Sequence, residues 1–173
     1  MFGGRGVVVA LCSTALAASS FVGAPATQAA GLIVCAGQES TTYDPGLTLV
    51  PRLTHLHSTS EYTCSGRPGE TVKATGHTVG IAPEASCLAL DSPRVLERVR
   101  FADGRESEIR YEGSALRAAG AHEIHLTGHV VKGFAEGAEV TRDVSLLPTS
   151  LPTDCATGGV TSATGQGQLR IAF

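Results

Sequence analysis

Apolar and polar residues alternate in short runs along most of the chain beyond residue 30. Val, Ile, Leu, Thr and Tyr recur at every second position between turns that contain Gly, Pro or Asp. A period of two is typical of strands with one buried face. Nine strands are predicted, at Leu32–Ala36, Leu47–His57, Thr71–Ala82, Cys87–Leu90, Val95–Phe101, Glu106–Tyr111, Glu123–Lys132, Ala138–Leu147 and Gln168–Phe173. One helical turn is predicted at Ser114–Ala121, which is short for a helix.

The fifth and sixth predicted strands form the clearest local unit, a hairpin. Ala102-Asp103-Gly104 suits a three-residue loop with Gly104 in the left-handed region. This register places opposite charges face to face, Arg100 with Glu106 and Arg98 with Glu108. Because a slip of one residue would mix the charged and apolar faces, the register is strongly specified. We interpret the charge pairs as a solvated sheet face.

The first thirty residues have a different pattern from the rest. Arg5 is their only charged residue, an apolar run follows at Val7–Leu11, and small residues lead to Ala-x-Ala-like sites. This order is typical of a secretory signal peptide, and the apolar run is too short to span a bilayer. The sequence therefore predicts removal of residues 1–30 and one exported domain at residues 31–173, with no membrane span.

The exported domain would contain four cysteines, at Cys35, Cys64, Cys87 and Cys155. An even number in a small exported chain predicts two disulfides. Zinc is less favoured, because it needs closely spaced cysteine pairs. Three connectivities are possible, and pairing in chain order, Cys35–Cys64 with Cys87–Cys155, is preferred.

Composition excludes several function classes. The chain has 13 Lys and Arg against 16 Asp and Glu, a net charge of −3, so a nucleic-acid binder that relies on bulk basicity is excluded. Hydrophobic residues at 42% exclude wholesale disorder. Aromatic residues at 5% leave few rings to stack on sugars, which disfavours a carbohydrate-binding module.

Six histidines raise the possibility of a metal site or a hydrolase. His55 and His57 share one strand face, about 6.5–7 Å apart, whereas His125 and His129 are too far apart along their strand to bind one ion. A hydrolase would be favoured if His55, His57 and one of those two converged.

Local motifs do not point to an enzyme. No G-x-S-x-G turn occurs, and the segment from His122 to His125 is one residue short of H-E-x-x-H. No catalytic residue, metal or cofactor is predicted, and the protein is predicted not to be an enzyme.

Several fragments resemble a family of small secreted actinobacterial proteins of unknown function. In chain order they are Cys35-Ala36-Gly37, Thr42–Thr48, Cys64, Ser86-Cys87-Leu88, Asp103–Ser107, Thr127–Gly137, and Cys155 followed by Gly159-Val160-Thr161-Ser162 and a Gly-x-Gly lead into the last strand. The resemblance spans nearly the whole exported domain and implies an immunoglobulin-like β-sandwich with two disulfides. The chain departs from this family at Phe101, where the family pattern has Trp.

A weaker resemblance is to the bacterial subtilisin inhibitors, carried by size, two disulfides and Tyr43-Asp44-Pro45. That family anchors its reactive loop with a cysteine just upstream, where this chain has Ser40-Thr41-Thr42, so no reactive-bond residue is transferred. The segment Ala36–Gly46 would still be a disulfide-braced loop.

The functional prediction is a secreted, non-enzymatic β-sandwich that binds an extracellular protein or a component of the cell envelope. An extracellular protease inhibitor and, less favoured, a small secreted hydrolase are the alternatives.

Overall fold

The structure is a computed structural model that describes residues 31–65, 69–118 and 120–173. The predicted signal peptide, including its cleavage site, lies outside the described residues. These residues form nine strands and one short 3-10 helix. They are β1 (Leu32–Leu47), β2 (Arg52–Ser65), β3 (Thr71–Ala85), β4 (Ala89–Asp91), β5 (Arg94–Phe101), β6 (Glu106–Ala118), β7 (Ala121–Gly133), β8 (Glu139–Pro148), the 3-10 helix η1 (Pro152–Ala156) and β9 (Val160–Ala172).

Eight of these strands close into a single antiparallel barrel. Its order is β1-β2-β3-β5-β6-β7-β8-β9, and β9 pairs with β1 to complete the ring. The predicted two-sheet sandwich is therefore wrong, although the all-β class is correct. Alternation of apolar and polar residues buries one face of each strand in either architecture, so the pattern does not distinguish them.

Closure depends on pairings between strands far apart in sequence. Strand β1 pairs with β2 from Cys35 to Asp44 on one side, and with β9 from Leu32 to Thr42 on the other. The short strand β4 precedes β5 in the chain and pairs with the same two neighbours, β3 and β6. It therefore occupies the same position as β5 in the order of strands around the barrel. Each of the eight barrel strands thus has two neighbours, which removes the sheet edges that a sandwich would leave.

The hairpin prediction is confirmed in detail. Arg100 lies opposite Glu106 and Arg98 opposite Glu108, with ion pairs of 2.9 Å and 3.2 Å. Gly104 has φ of 89°, the left-handed conformation that the loop requires. This local prediction succeeded because turn chemistry, charge pairing and the apolar face all favour one register.

Two other local predictions are wrong. The predicted helical turn at Ser114–Ala121 is wrong, since the described residues of this segment form the paired ends of β6 and β7. Ala115 is buried against the barrel core, as expected of an inward-facing strand residue. The segment Ala36–Gly46 is part of β1 and not a disulfide-braced loop, and it is paired along both sides. The reactive-loop element that the inhibitor alternative needs is therefore not present in this segment.

The cysteines pair as chain order favoured, Cys35 with Cys64 and Cys87 with Cys155. The first disulfide joins directly opposed residues of β1 and β2 inside the barrel. The second joins the loop between β3 and β4 to η1, which lies between β8 and β9. Two disulfides are typical of extracellular proteins.

The barrel interior contains two apolar clusters, one toward each end. The first includes the Cys35–Cys64 disulfide with Val99, Ile109 and Leu169. The second includes the Cys87–Cys155 disulfide with Leu47 and Leu146. Between the clusters, Ile124 packs against both, and the polar and charged side chains that face inward beside it form the interior site described below.

Candidate functional site

One end of the barrel carries an unusual number of exposed aliphatic side chains. We call it the apolar end, and it comprises Leu49, Val50, Leu53, Leu88, Leu116, Leu147 and Leu151. Ten large apolar side chains are exposed among the described residues, and seven of them lie here. All seven lie in or beside the loops that connect β1 with β2, β3 with β4, β6 with β7, and β8 with β9.

Backbone hydrogen bonds and a disulfide fix the apolar end. The Leu49 amide donates to the carbonyl of Cys155 at 3.1 Å, and the Cys87 amide donates to that of Thr48 at 2.8 Å. The Arg117 amide donates to the Leu88 carbonyl at 2.9 Å, and the Cys87–Cys155 disulfide joins two of these loops. The exposed leucines therefore belong to a cross-linked cap.

Halfway along the barrel, charged side chains cross the interior. Glu39 from β1, Glu97 from β5 and Arg142 from β8 are each at most 5% exposed. We call these three, with the inward-facing hydroxyl residues Thr41, Ser58, Ser60, Thr78, Tyr62 and Tyr111, the interior polar cluster. Burial of charges is costly unless they are paired and hydrogen-bonded, so the contacts within this cluster decide its energetics.

Arg142 lies between the two carboxylates. Its Nη2 donates to Glu39 Oε2 at 2.6 Å, and its Nη1 lies 3.5 Å from Glu97 Oε2. The two guanidinium nitrogens also donate to the hydroxyls of Ser60 and Thr78, each at 3.2 Å. One guanidinium thus bridges strands from opposite sides of the barrel.

The carboxylates accept further hydrogen bonds from hydroxyl groups. Tyr111 and Tyr62 donate to the two oxygens of Glu97, at 2.8 Å and 3.1 Å. Thr41 and Ser60 donate to Glu39 at 3.3 Å and 3.4 Å. Both side chains therefore act as acceptors, and the cluster has a formal charge of −1 when both are ionised.

Burial and neighbouring charge act together on the titratable groups of this cluster. Burial would lower the pKa of Arg142, but the carboxylates of Glu97 and Glu39 hold that pKa well above its usual value. Burial, followed by the negative charge of Glu97, raises the pKa of Tyr62 and of Tyr111 above the usual range. Arg142 is therefore charged and both tyrosines are neutral donors at physiological pH.

A cavity of about 40 Å³ lies beside the cluster, toward the apolar end. Its polar lining includes Glu39, Arg142 and Tyr43, and its apolar lining includes Leu56 and Val144. The Tyr43 hydroxyl and Arg142 Nε are both buried and have no hydrogen-bond partner among the described residues. Burial, then the charge of Glu39, raises the pKa of Tyr43 above its usual range.

The histidines considered from sequence do not converge. His55 and His57 point outward from β2, whereas His125 and His129 point outward from β7, four strands away around the barrel. Among the described residues, no three His, Cys, Asp or Glu side chains are grouped to hold a metal ion. The convergence on which the hydrolase alternative depended is not found.

A Ser-His-Asp row does occur on the outer wall, and its geometry is incomplete. Ser114, His125 and Asp143 are directly opposed on β6, β7 and β8. His125 Nδ1 lies 2.6 Å from Asp143 Oδ1, but no hydrogen bond joins His125 to Ser114. The pair lies on an exposed face, with side chains 64% and 48% exposed, so no enclosed cleft surrounds it. This row is a cross-strand polar ladder.

His122 is the buried member of the histidine set and predicts a pH effect on stability. Its Nε2 donates to the Cys87 carbonyl at 3.0 Å, and burial, with a smaller contribution from Arg117, lowers its pKa. On acidification, His122 is therefore protonated in the unfolded state at a higher pH than in the folded state. The free energy of unfolding falls as pH drops below about 6.5, by at most about 1.4 kcal/mol per pH unit.

Urea denaturation from pH 7.5 to pH 5 measures this effect, with His122→Gln and His129→Gln compared with the wild type. We expect the loss of stability on acidification to shrink in His122→Gln and to persist in His129→Gln, because His129 is exposed. Equal slopes for all three proteins would contradict the assignment.

Sequence patterns contained a signal for the interior cluster. Glu97 lies between Val95 and Val99 on the apolar face of the predicted hairpin, and Arg142 lies between Val140 and Val144. A charge in phase with the buried positions of a strand indicates a buried charge. Neither Glu97 nor Arg142 was predicted to be a buried charge, so the sequence did not reveal the cluster.

The fold and the site together define a closed, disulfide-bonded antiparallel barrel with a charged interior layer and an apolar end. No model of a known family matches the chain. Comparison with curated proteins likewise finds no similar sequence. None of the helices in the part of the chain that the structure describes is long and apolar enough to cross a membrane.

Proposed function

We propose that the protein is a secreted, non-enzymatic binding module and that it binds an extracellular protein through the apolar end of its barrel. The observation that carries this proposal is the concentration of seven exposed aliphatic side chains at one end. Large exposed apolar patches on soluble proteins are typical of interaction sites. The Cys87–Cys155 disulfide holds the patch in place, which reduces the entropy lost on binding.

The chemistry of the apolar end favours a protein over other partners. Its exposed large side chains are all leucine or valine, so it offers no aromatic ring on which a sugar could stack. Charges of both signs border it, including Arg52, Arg117, Asp91 and Glu84, so it is not a cationic surface for anionic lipid or polymer. An apolar centre with a mixed polar rim is typical of a protein–protein interface.

Paired leucine substitutions test this proposal. Leu88→Ser/Leu151→Ser removes exposed apolar surface without opening the core, so stability should change by no more than about 0.5 kcal/mol. The matched control is Leu32→Ser/Val79→Ser, which changes exposed apolar residues outside the apolar end. Each oxidised protein is mixed with the host's secreted fraction, and complexes are isolated by size-exclusion chromatography and identified by mass spectrometry.

The proposal expects one protein in a stoichiometric complex with the wild type and the control, and at least tenfold less of it with Leu88→Ser/Leu151→Ser. Equal recovery with all three would overturn the role of the apolar end. Retention on wall polymer or lipid vesicles, or a dimer of the protein alone, would replace the proposed protein partner. If the partner is a protease that the complex inhibits, the inhibitor function replaces this one.

A further inference from the structure

The interior cavity is independent of the apolar end and carries a second, separate inference. It lies inside the barrel wall, between the interior polar cluster and the apolar cluster that contains the Cys87–Cys155 disulfide. An eight-stranded barrel has just enough interior volume for side chains or one small ligand.

Two buried hydrogen-bond donors that line the cavity indicate which ligand chemistry it would accept. Tyr43 is 3% exposed and Arg142 is 1% exposed, both line the cavity, and neither the Tyr43 hydroxyl nor Arg142 Nε has a partner among the described residues. Buried polar groups in folded proteins are nearly always hydrogen-bonded. A ligand that accepts a hydrogen bond would satisfy one or both.

Glu39, in contrast, needs a ligand group that donates a hydrogen bond. Within the described part of the chain, its Oε1 accepts a single long hydrogen bond, from Thr41 at 3.3 Å, so it has capacity to accept another. A ligand group that both donates and accepts would therefore match Glu39 and the two free donors together. Hydroxyl and primary amide groups have this property.

Charge separates the neutral group from its ionised analogues. A carboxylate would enter a cluster whose formal charge is already −1, and it could not donate to Glu39. An ammonium could not accept from Arg142 or Tyr43, and it would lie beside a guanidinium. We propose that the cavity binds a small neutral alcohol or primary amide, whose polar group lies between Tyr43, Arg142 and Glu39 and whose carbon atoms contact Leu56 and Val144.

Size limits the ligand to a few heavy atoms. A cavity of about 40 Å³ exceeds the roughly 10–15 Å³ that one water needs, and it is well below the ~150 Å³ of cavities that bind benzene. Suitable probes are therefore n-propanol and acetamide, with propionate and n-propylamine as ionised analogues.

The test is to titrate each probe into the oxidised protein and to monitor the NMR chemical shifts of the amide and methyl groups. We expect saturable shifts around Tyr43, Leu56 and Val144 for n-propanol or acetamide, and at least tenfold weaker binding of propionate and n-propylamine. Tyr43→Phe should weaken binding of the neutral probes about fivefold to tenfold, because it removes one hydrogen bond. The variant should fold normally, since the hydroxyl that it loses has no protein partner.

Leu56→Phe, which fills the cavity, should abolish the saturable shifts. The inference is overturned if no probe gives saturable shifts, if an ionised analogue binds as tightly as the neutral probes, or if Tyr43→Phe binds them like the wild type. Interior binding does not involve the apolar end, so Leu88→Ser/Leu151→Ser should bind the probes normally. Failure here would therefore leave the proposed protein-binding function untouched.

Discussion

Arg142→Met is expected to lower the free energy of unfolding by about 3–5 kcal/mol. The substitution keeps most of the side-chain volume but leaves Glu39 and Glu97 buried together without their shared cation. Two carboxylates in the barrel interior would then repel each other and lose the donors of the guanidinium. The measurement is urea denaturation of the oxidised protein at pH 7, followed by far-UV circular dichroism.

The matched control is Arg170→Met on β9, where the arginine is exposed and, among the residues that the structure describes, its side chain hydrogen-bonds only to Gln168. That change should alter stability by no more than about 0.5 kcal/mol. A second variant, Arg142→Met/Glu39→Gln/Glu97→Gln, removes all three charges and should recover much of the loss, because unpaired buried charge is the main cause. A loss below about 1 kcal/mol in Arg142→Met, or no recovery in the triple variant, would contradict the role assigned to the cluster.

The interior polar cluster also favours one arrangement of the strands over others. Its hydrogen bonds and ion pairs join β1, β2, β3, β5, β6 and β8, and the paired residues are separated by up to 103 positions in sequence. Each partner has a specific geometry, whereas apolar side chains tolerate many packings. A polar layer in which one misplaced strand leaves a buried charge therefore disfavours other registers.

Local features of this fold were predictable and closure was not. The hairpin that includes Gly104 depends on residues within about ten positions of each other, so turn chemistry and charge pairing are visible in sequence. The pairing of β1 with β9 joins Leu32 to Ala172, and no local pattern encodes it. The same inward-facing residues would fill a sandwich, so alternation along the strands does not predict which of the two architectures forms.

The candidate site was predictable only in part. Alternation placed Glu97 and Arg142 in phase with buried valines, but each charge alone favours an exposed position. Their compensation is visible only after β5 and β8 are brought together across the barrel. The apolar end could not be predicted from sequence either. Leu49, Leu88 and Leu151 lie in separate loops, and these loops come together only in the folded barrel, where the second disulfide joins two of them.

Removal of either disulfide is expected to be strongly destabilising. The disulfides close loops with separations of 29 and 68 residues. Chain-entropy arguments give losses of roughly 3.5–4 kcal/mol for Cys35→Ala/Cys64→Ala and roughly 4–4.5 kcal/mol for Cys87→Ala/Cys155→Ala. Urea denaturation of both variants, compared with the oxidised wild type, measures these losses.

The two disulfides should differ more in function than in stability. Cys35 and Cys64 are opposed on strands that are hydrogen-bonded along their length, so the barrel wall holds their positions without the bond. Cys87 and Cys155 instead join a loop to η1 at the apolar end, where the β1–β2 loop links the same two segments only through the single backbone hydrogen bonds of Thr48 and Leu49. Under conditions where both variants are folded, Cys87→Ala/Cys155→Ala should bind the protein partner at least tenfold more weakly, and Cys35→Ala/Cys64→Ala should bind it normally. Equal binding by both variants would show that the apolar end does not need its cross-link, and would remove the argument from preorganisation.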